Sequence, residues 1–457
     1  MDAPGHTQEI RRLPWYGWLT AGTLAAGETG LLLGVRPVQI AFYGVAWWSY
    51  ILLADAWVWK RRGASLLGNR PREFCWLAFW SIPIWSLFEL INFRLQDWCY
   101  VNTVPETEVA VLLCFAAYAT VLPGIFETYE LLTAFEFAER IRCRPVRVSS
   151  ALLTGSVAVG LVMLAAALLW PRYAFPLAWG FAVFLFDPLC YMAGPPRTAS
   201  LLGQLESGDP RPFLRFLMAG LVCGGLWEFW NFWAYTKWLY TVPFFEEIKW
   251  FEMPPLGFLG FPPFAVECYV LVNFLKAASW GRGWKSLNQT GVGVSRPVAL
   301  VAVVAALAFN AAIYTGITRW TVASSAPALE EMEGISPSAL AQLMRVGVET
   351  PPALLSRTAA PQRLAALARE TGVPPQELQA LREAGRLADL EGLGAANYNA
   401  LRRLGIMTVE DLARQEPEAL SPRWREAAPR RPPTLPQVRL WIRAARREAG
   451  SGMTTRR

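Results

Sequence analysis

Nine stretches of about 20 or more mostly apolar residues run through this chain, each long enough to cross the hydrocarbon core of a bilayer. They cover 15–35, 38–59, 74–95, 108–134, 149–170, 172–193, 213–235, 255–276 and 297–317. A soluble domain cannot bury so much continuous apolar surface, and in lipid only helices or a closed barrel satisfy every backbone amide. The stretches are about twice the length of a barrel strand, which points to helices. Composition agrees: 54% of the 457 residues are hydrophobic and 17% are charged. The first stretch has no small-residue cleavage site after it, so it reads as a retained span rather than a leader.

Orientation follows from Lys and Arg in the connections. Eighteen lie before the first span and in every second connection after it, among them Lys60, Arg61, Arg62, Arg140, Arg142 and Lys276. The alternate connections hold five: Arg36, Arg94, Arg172, Lys237 and Lys249. This bias places the N-terminus in the cytoplasm. An odd number of spans then puts the C-terminal region outside, in what reads as a bacterial inner membrane.

Residues 36–134 and 170–276 read as a tandem duplication. Ala64-Ser-Leu-Leu-Gly68 recurs as Ala199-Ser-Leu-Leu-Gly203, and Phe88-Glu89-x-x-Asn92-Phe93 as Trp227-Glu228-x-x-Asn231-Phe232. Trp98-x-Tyr100 recurs as Trp238-x-Tyr240, and Glu127-x-Tyr129 as Glu267-x-Tyr269. Asp55 and Asp187 correspond as well, each ahead of the Ala-Ser-Leu-Leu-Gly segment. Counting the span ahead of each segment, the repeat carries four spans, an even number, which gives both copies the same orientation.

After the ninth stretch the composition changes: from Ser325 onward there is no Lys, Phe or Cys. A second duplication appears here. Glu333-Gly334-Ile335 matches Glu391-Gly392-Leu393, and Gly347-Val-x-Thr350 matches Gly405-Ile-x-Thr408. Gly334, Gly392 and Gly394 are placed for tight turns between short helices, and Thr408 for capping the next helix. Ser336 replaces the second glycine in the first copy. The segment 329–447 resembles a bacterial tandem helix-hairpin-helix domain of unknown function. That resemblance implies a helical fold and carries no activity.

The expected architecture is therefore all-α: a polytopic membrane helical bundle followed by a helical helix-hairpin-helix domain. Its parts are a polar N-terminus (1–14), two four-span repeats (15–134 and 147–279), a ninth span (297–317) and the soluble domain (325–457).

The single histidine, His6, precedes every apolar run, which excludes imidazole-based triads and histidine-clustered metal sites. Seven scattered cysteines without a CxxC pair give no metal or disulfide framework. No metal or cofactor is implied. Carboxylates within spans are costly and normally face a bundle interior. Asp55, Glu89, Asn92, Glu127, Asp187, Glu228, Asn231, Glu267 and Tyr269 are accordingly expected to line a pseudo-symmetric cavity for a membrane lipid or other lipophilic small molecule, with Trp238 and Tyr240 at its outer rim. Carboxylic acids among aromatics also suit protonation of an alkene. Pro243-Phe-Phe-Glu246-Glu247 is similar to the Pro-x-Glu-Glu motif of membrane carotenoid cyclases, but one residue out of spacing. Whether such a site belongs to an enzyme, a transporter or channel, or a scaffold is open from the sequence. Residues 325–457 suit a protein partner or self-association. Nucleic acid is disfavoured, because no Lys or Arg adjoins the Gly392–Gly394 turn.

Overall fold

The computed structural model describes residues 11–193, 197–244, 248–280, 296–428 and 432–454. His6, Glu246 and Glu247 lie outside them. Among the described residues, eight helices are long and apolar enough to cross a membrane. They follow a shorter helix, α1 (Trp15–Leu32). In order they are α2 (Arg36–Arg62), α3 (Pro71–Leu95), α4 (Thr107–Ala134), α5 (Ser150–Leu169), α6 (Pro171–Met192), α7 (Arg211–Trp233), α8 (Pro255–Lys276) and α9 (Pro297–Trp320). The expected first span is present as α1 but is not one of the eight. Glu28 and three threonines dilute its apolar run, and Thr20, Thr23 and Thr29 each donate to a carbonyl of their own helix.

Local chemistry explains where these helices begin and end. Pro sits at the start of α2, where its missing N–H costs nothing. Helix α2 stops at Gly63, whose φ of 69° is a left-handed cap. Most of α5 and α9 is apolar yet not covered by protein, with only 11% and 17% of their most hydrophobic windows buried. Exposed apolar surface on that scale suits contact with lipid.

The chain divides into two compact units. The first comprises Met1–Leu95, Val111–Ala234 and Phe245–Thr315. The second joins Gln96–Ala110 and Tyr235–Phe244 to Gly316–Arg457. Two connections of the helical region thus belong with the C-terminal segment.

Within the second unit the two repeated Trp-x-Tyr motifs pair with each other. Strand β1 (Trp98–Val101) runs antiparallel to β2 (Lys237–Tyr240), with Trp98 opposite Tyr240 and Tyr100 opposite Trp238. The segment after α9 joins as a parallel neighbour of β1. Tyr100 N–H donates to Thr321 O at 2.7 Å, and Ala323 N–H donates back to Tyr100 O at 2.8 Å. This small sheet interrupts an otherwise helical fold and was not expected from the sequence. Its apolar side, with Cys99, Val101 and Leu239, shares one core with Leu393, Tyr398, Trp424 and Trp441 of the C-terminal helices.

Beside the ribbon, burial pushes the Asp97 carboxyl up to about 7. In the unfolded chain the group titrates near 4. Between these values the folded state holds the extra proton, so this contribution to stability is largest below about pH 4 and is lost as pH rises to about 7. Asp97→Asn is expected to flatten that slope and to stabilise the second unit at pH 8, at most on the order of 4 kcal/mol. Unfolding midpoints of both proteins between pH 4 and pH 8 would show it. Parallel pH profiles would rule it out.

Candidate functional site

Asp55 and Asp187 do the same local job in the two copies. Asp55 accepts hydrogen bonds from Leu67 N–H at 2.8 Å, Ser65 Oγ at 2.9 Å and Tyr16 OH at 2.6 Å. Asp187 accepts from Leu201 N–H at 2.7 Å and Leu202 N–H at 2.9 Å. Ser65 and Ser200 cap the short helices that follow, each accepting from the N–H of Gly68 or Gly203 at 3.0 Å. The repeated Asp and Ala-Ser-Leu-Leu-Gly elements therefore form one device, in which a buried carboxylate satisfies amides that a tight turn leaves orphaned. Glycine closes it because a Cβ on Gly203 would sit 2.0 Å from Arg197 O.

Tyr269 and Glu267 brace the second copy further. Tyr269 OH accepts from Gln204 Nε2 at 2.6 Å and donates to Ala199 O at 3.1 Å. Glu267 Oε1 accepts from Ala182 N–H at 2.9 Å, at the start of the regular part of α6. That placement satisfies an orphan donor of a helix that begins after Gly180, whose φ is 150°.

Glu89, Asn92, Glu228 and Asn231 are all fully buried. Glu89 Oε1 accepts from Trp85 Nε1 at 3.2 Å and from Tyr118 OH at 3.1 Å. The aromatic residues that precede the two acids in sequence, Phe88 and Trp227, both pack on Phe264, with ring centroids 5.1 Å and 5.8 Å away. Trp227 continues into a second cluster around Trp47, which also touches Trp230 at 5.2 Å and Tyr50 at 5.7 Å.

Glu127 stands apart from the other candidates. It is fully buried, and neither carboxyl oxygen accepts from a donor among the described residues. Asp55, another acid, is close enough for the two carboxyls to act on each other. Glu130 is a further acidic neighbour, and Arg70 is a cationic one. The hydroxyls of Tyr50 and Thr128 are 2.8 Å apart beside it, and the Trp47 ring packs on Gly124, one turn earlier in α4.

Next to this group runs an ionic ladder that the sequence does not announce. Lys276 Nζ lies 2.5 Å from Glu73 Oε1, and Glu73 is 3.3 Å from Arg70. Arg70 reaches Glu130 at 2.9 Å, and Glu130 reaches Arg62 at 3.3 Å. Side-chain exposure runs from 0% at Lys276 to 45% at Arg62, so the ladder leads from the interior to the surface. In the sequence, Arg62, Arg70 and Lys276 read only as charges that set orientation. The one local signal is Lys276 itself, directly after Leu-Val-Asn-Phe-Leu, and ion partners of buried cations cannot be read from one-dimensional spacing.

Trp238 and Tyr240 both lie in β2 of the second unit. The second glycine turn is in the same unit. Gly392 has φ 64°, and a Cβ there would meet Val101 Cβ at 2.5 Å; one on Gly394 would meet Ser324 Cβ at 2.7 Å. Ser324 Oγ donates to Gly392 O. The turn's backbone is thus covered by the chain's own ribbon. The first turn differs: Gly334 is exposed, and Ser336 caps the following helix by accepting from Ala339 N–H at 3.2 Å. Thr408 forms a reciprocal cap with Asp411. Among the described residues no group of three or more His, Cys, Asp or Glu is arranged to hold a metal ion.

Residues 333–448 match a family described as a domain of unknown function, DUF4332. Comparison with curated proteins and with solved structures finds no match.

Proposed function

We propose that this is a multi-pass membrane protein whose helical unit binds a lipophilic small molecule at the Glu127 carboxyl. The observation that carries this reading is that both oxygens of a fully buried carboxyl lack a donor among the described residues. A buried carboxyl normally finds donors, and one left without any calls for an explanation. Asp55, Glu89, Glu130, Asp187 and Glu267 each have protein donors; Glu127 has none among the described residues. The aromatic rings around Trp47 and Tyr50 supply the apolar lining that a hydrophobic ligand needs.

The C-terminal helices are read as a protein-docking module whose partner is the chain itself. Burial of Gly392 and Gly394 supports this over phosphate binding, which needs the turn's amides exposed. The shared unit also bears on topology. The connections after α3 and α7 and the segment after α9 are separated by even numbers of long helices. A common side for all three is consistent, and the charge bias makes that side the outer face of a bacterial inner membrane.

The direct test is mass spectrometry of lipids and pigments retained by the purified protein. Gln keeps the shape of Glu127, and its amide can donate to Asp55 as a protonated carboxyl would. Glu127→Gln should therefore leave folding intact while reducing the retained molecule at least tenfold. Unchanged retention in a folded Glu127→Gln protein would sink the proposal.

A further inference from the structure

We propose that the molecule accepted at Glu127 is a lipophilic monovalent cation, a long-chain amine or quaternary ammonium. The inference rests on the reading of Glu127 as the ligand-bearing group and adds the charge of the ligand.

The argument begins with the local charges. The ladder supplies three cations, Lys276, Arg70 and Arg62, bonded to two carboxyls, Glu73 and Glu130. Asp55 and Glu127 add two more buried carboxyls, and the donors to Asp55 are neutral: a phenol, a hydroxyl and a backbone amide. Arg70, a cation near Glu127, already bonds Glu73 and Glu130. Within this linked set, three positive charges stand against four acidic groups. A single positive charge placed between Asp55 and Glu127 makes up the difference, either a proton shared by the two acids or a bound cation that displaces it. Carboxylates in a medium of low dielectric constant favour such a counter-charge strongly.

The surroundings choose between kinds of cation. A bare metal ion needs several free oxygens. Here the Tyr16 and Ser65 hydroxyls are turned to Asp55, and the Tyr50 and Thr128 hydroxyls bond each other. Beside Thr128 stands an aromatic cluster: Tyr50 packs on Trp47 and on Trp230, whose Nε1 bonds Glu28 Oε1 at 3.2 Å. Ring faces and a carboxylate together form the environment that recognises alkylammonium groups. An apolar tail would suit the ring clusters and the lipid around the helices.

The probes are a bromine-terminated dodecylammonium and its matching bromododecanol, which quench tryptophan fluorescence on close approach. Wild type and Glu127→Gln are compared in nanodiscs of neutral lipid, with empty nanodiscs correcting for partition. In wild type the amine should bind at least tenfold more tightly than the alcohol, and Glu127→Gln should erase that preference. If amine and alcohol bind alike, and both weaken in Glu127→Gln, the shared proton is the counter-charge: the cation is wrong while the ligand site stands. If neither responds to Glu127→Gln, both ideas fail. Loss of amine binding in millimolar sodium, but not in equal choline, would assign the site to an inorganic ion and overturn the inference.

Discussion

Lys276→Met is expected to destabilise the helical unit by about 3 kcal/mol, and Glu73→Leu by about 5 kcal/mol. Both side chains are buried, at 0% and 2% exposure, and their charged atoms are 2.5 Å apart. Removing one partner leaves the other's charge in a medium that solvates it poorly. The two losses differ because Glu73 keeps Arg70 at 3.3 Å when the lysine is gone, whereas removing Glu73 takes a carboxylate from both cations. The double variant should recover most of the loss, since two apolar side chains replace two charges that were costly to bury. Thermal unfolding midpoints in detergent at one fixed scan rate would measure all four proteins. Strictly additive losses would mean that the two side chains act separately and that the ladder has no energetic coupling.

Gly392→Ala should disrupt the second unit, costing about 3 kcal/mol or more. A non-glycine residue in left-handed backbone costs about 1–2 kcal/mol. The new Cβ would also meet Val101 Cβ at 2.5 Å, inside a core shared with Cys99 and Leu239. Gly405 provides the control, with φ 79° and nothing within 4 Å of a Cβ placed on it, so Gly405→Ala should cost only the backbone strain. Cys99 provides the readout, being 3% exposed in that core. Its thiol should react with a maleimide much faster in Gly392→Ala than in Gly405→Ala. Equal labelling of the two variants would show that the ribbon does not depend on the glycine turn.

Much of the helical organisation is legible in the sequence because lipid-length apolar runs and their charged ends are local signals. Eight of the nine expected crossings have helices of sufficient length and hydropathy. Thr408 as a cap is legible for the same reason, since its partner Asp411 is three residues away. The candidate acids can be found because a carboxylate in an apolar run stands out. Their roles are not legible. Asp55 and Asp187 hold amides 12 and 14 residues further along the chain, while Glu267 holds one 85 residues back, and no spacing rule reaches those partners. The ribbon escapes for a related reason: four-residue strands carry little periodicity, and each Trp-x-Tyr motif pairs with the distant other copy.

By itself, then, the sequence determined the long helices, their repeated motifs and the repeated buried acids, because burial cost and helix length are properties of short segments. Only the tertiary structure decided which acids are satisfied. Hydrogen bonds and ion pairs depend on approach within about 3 Å, and that is set by how distant segments pack. It is packing that gives Asp55, Asp187 and Glu267 their donors, joins Lys276 to Glu73, and leaves the carboxyl of Glu127 without a donor among the described residues.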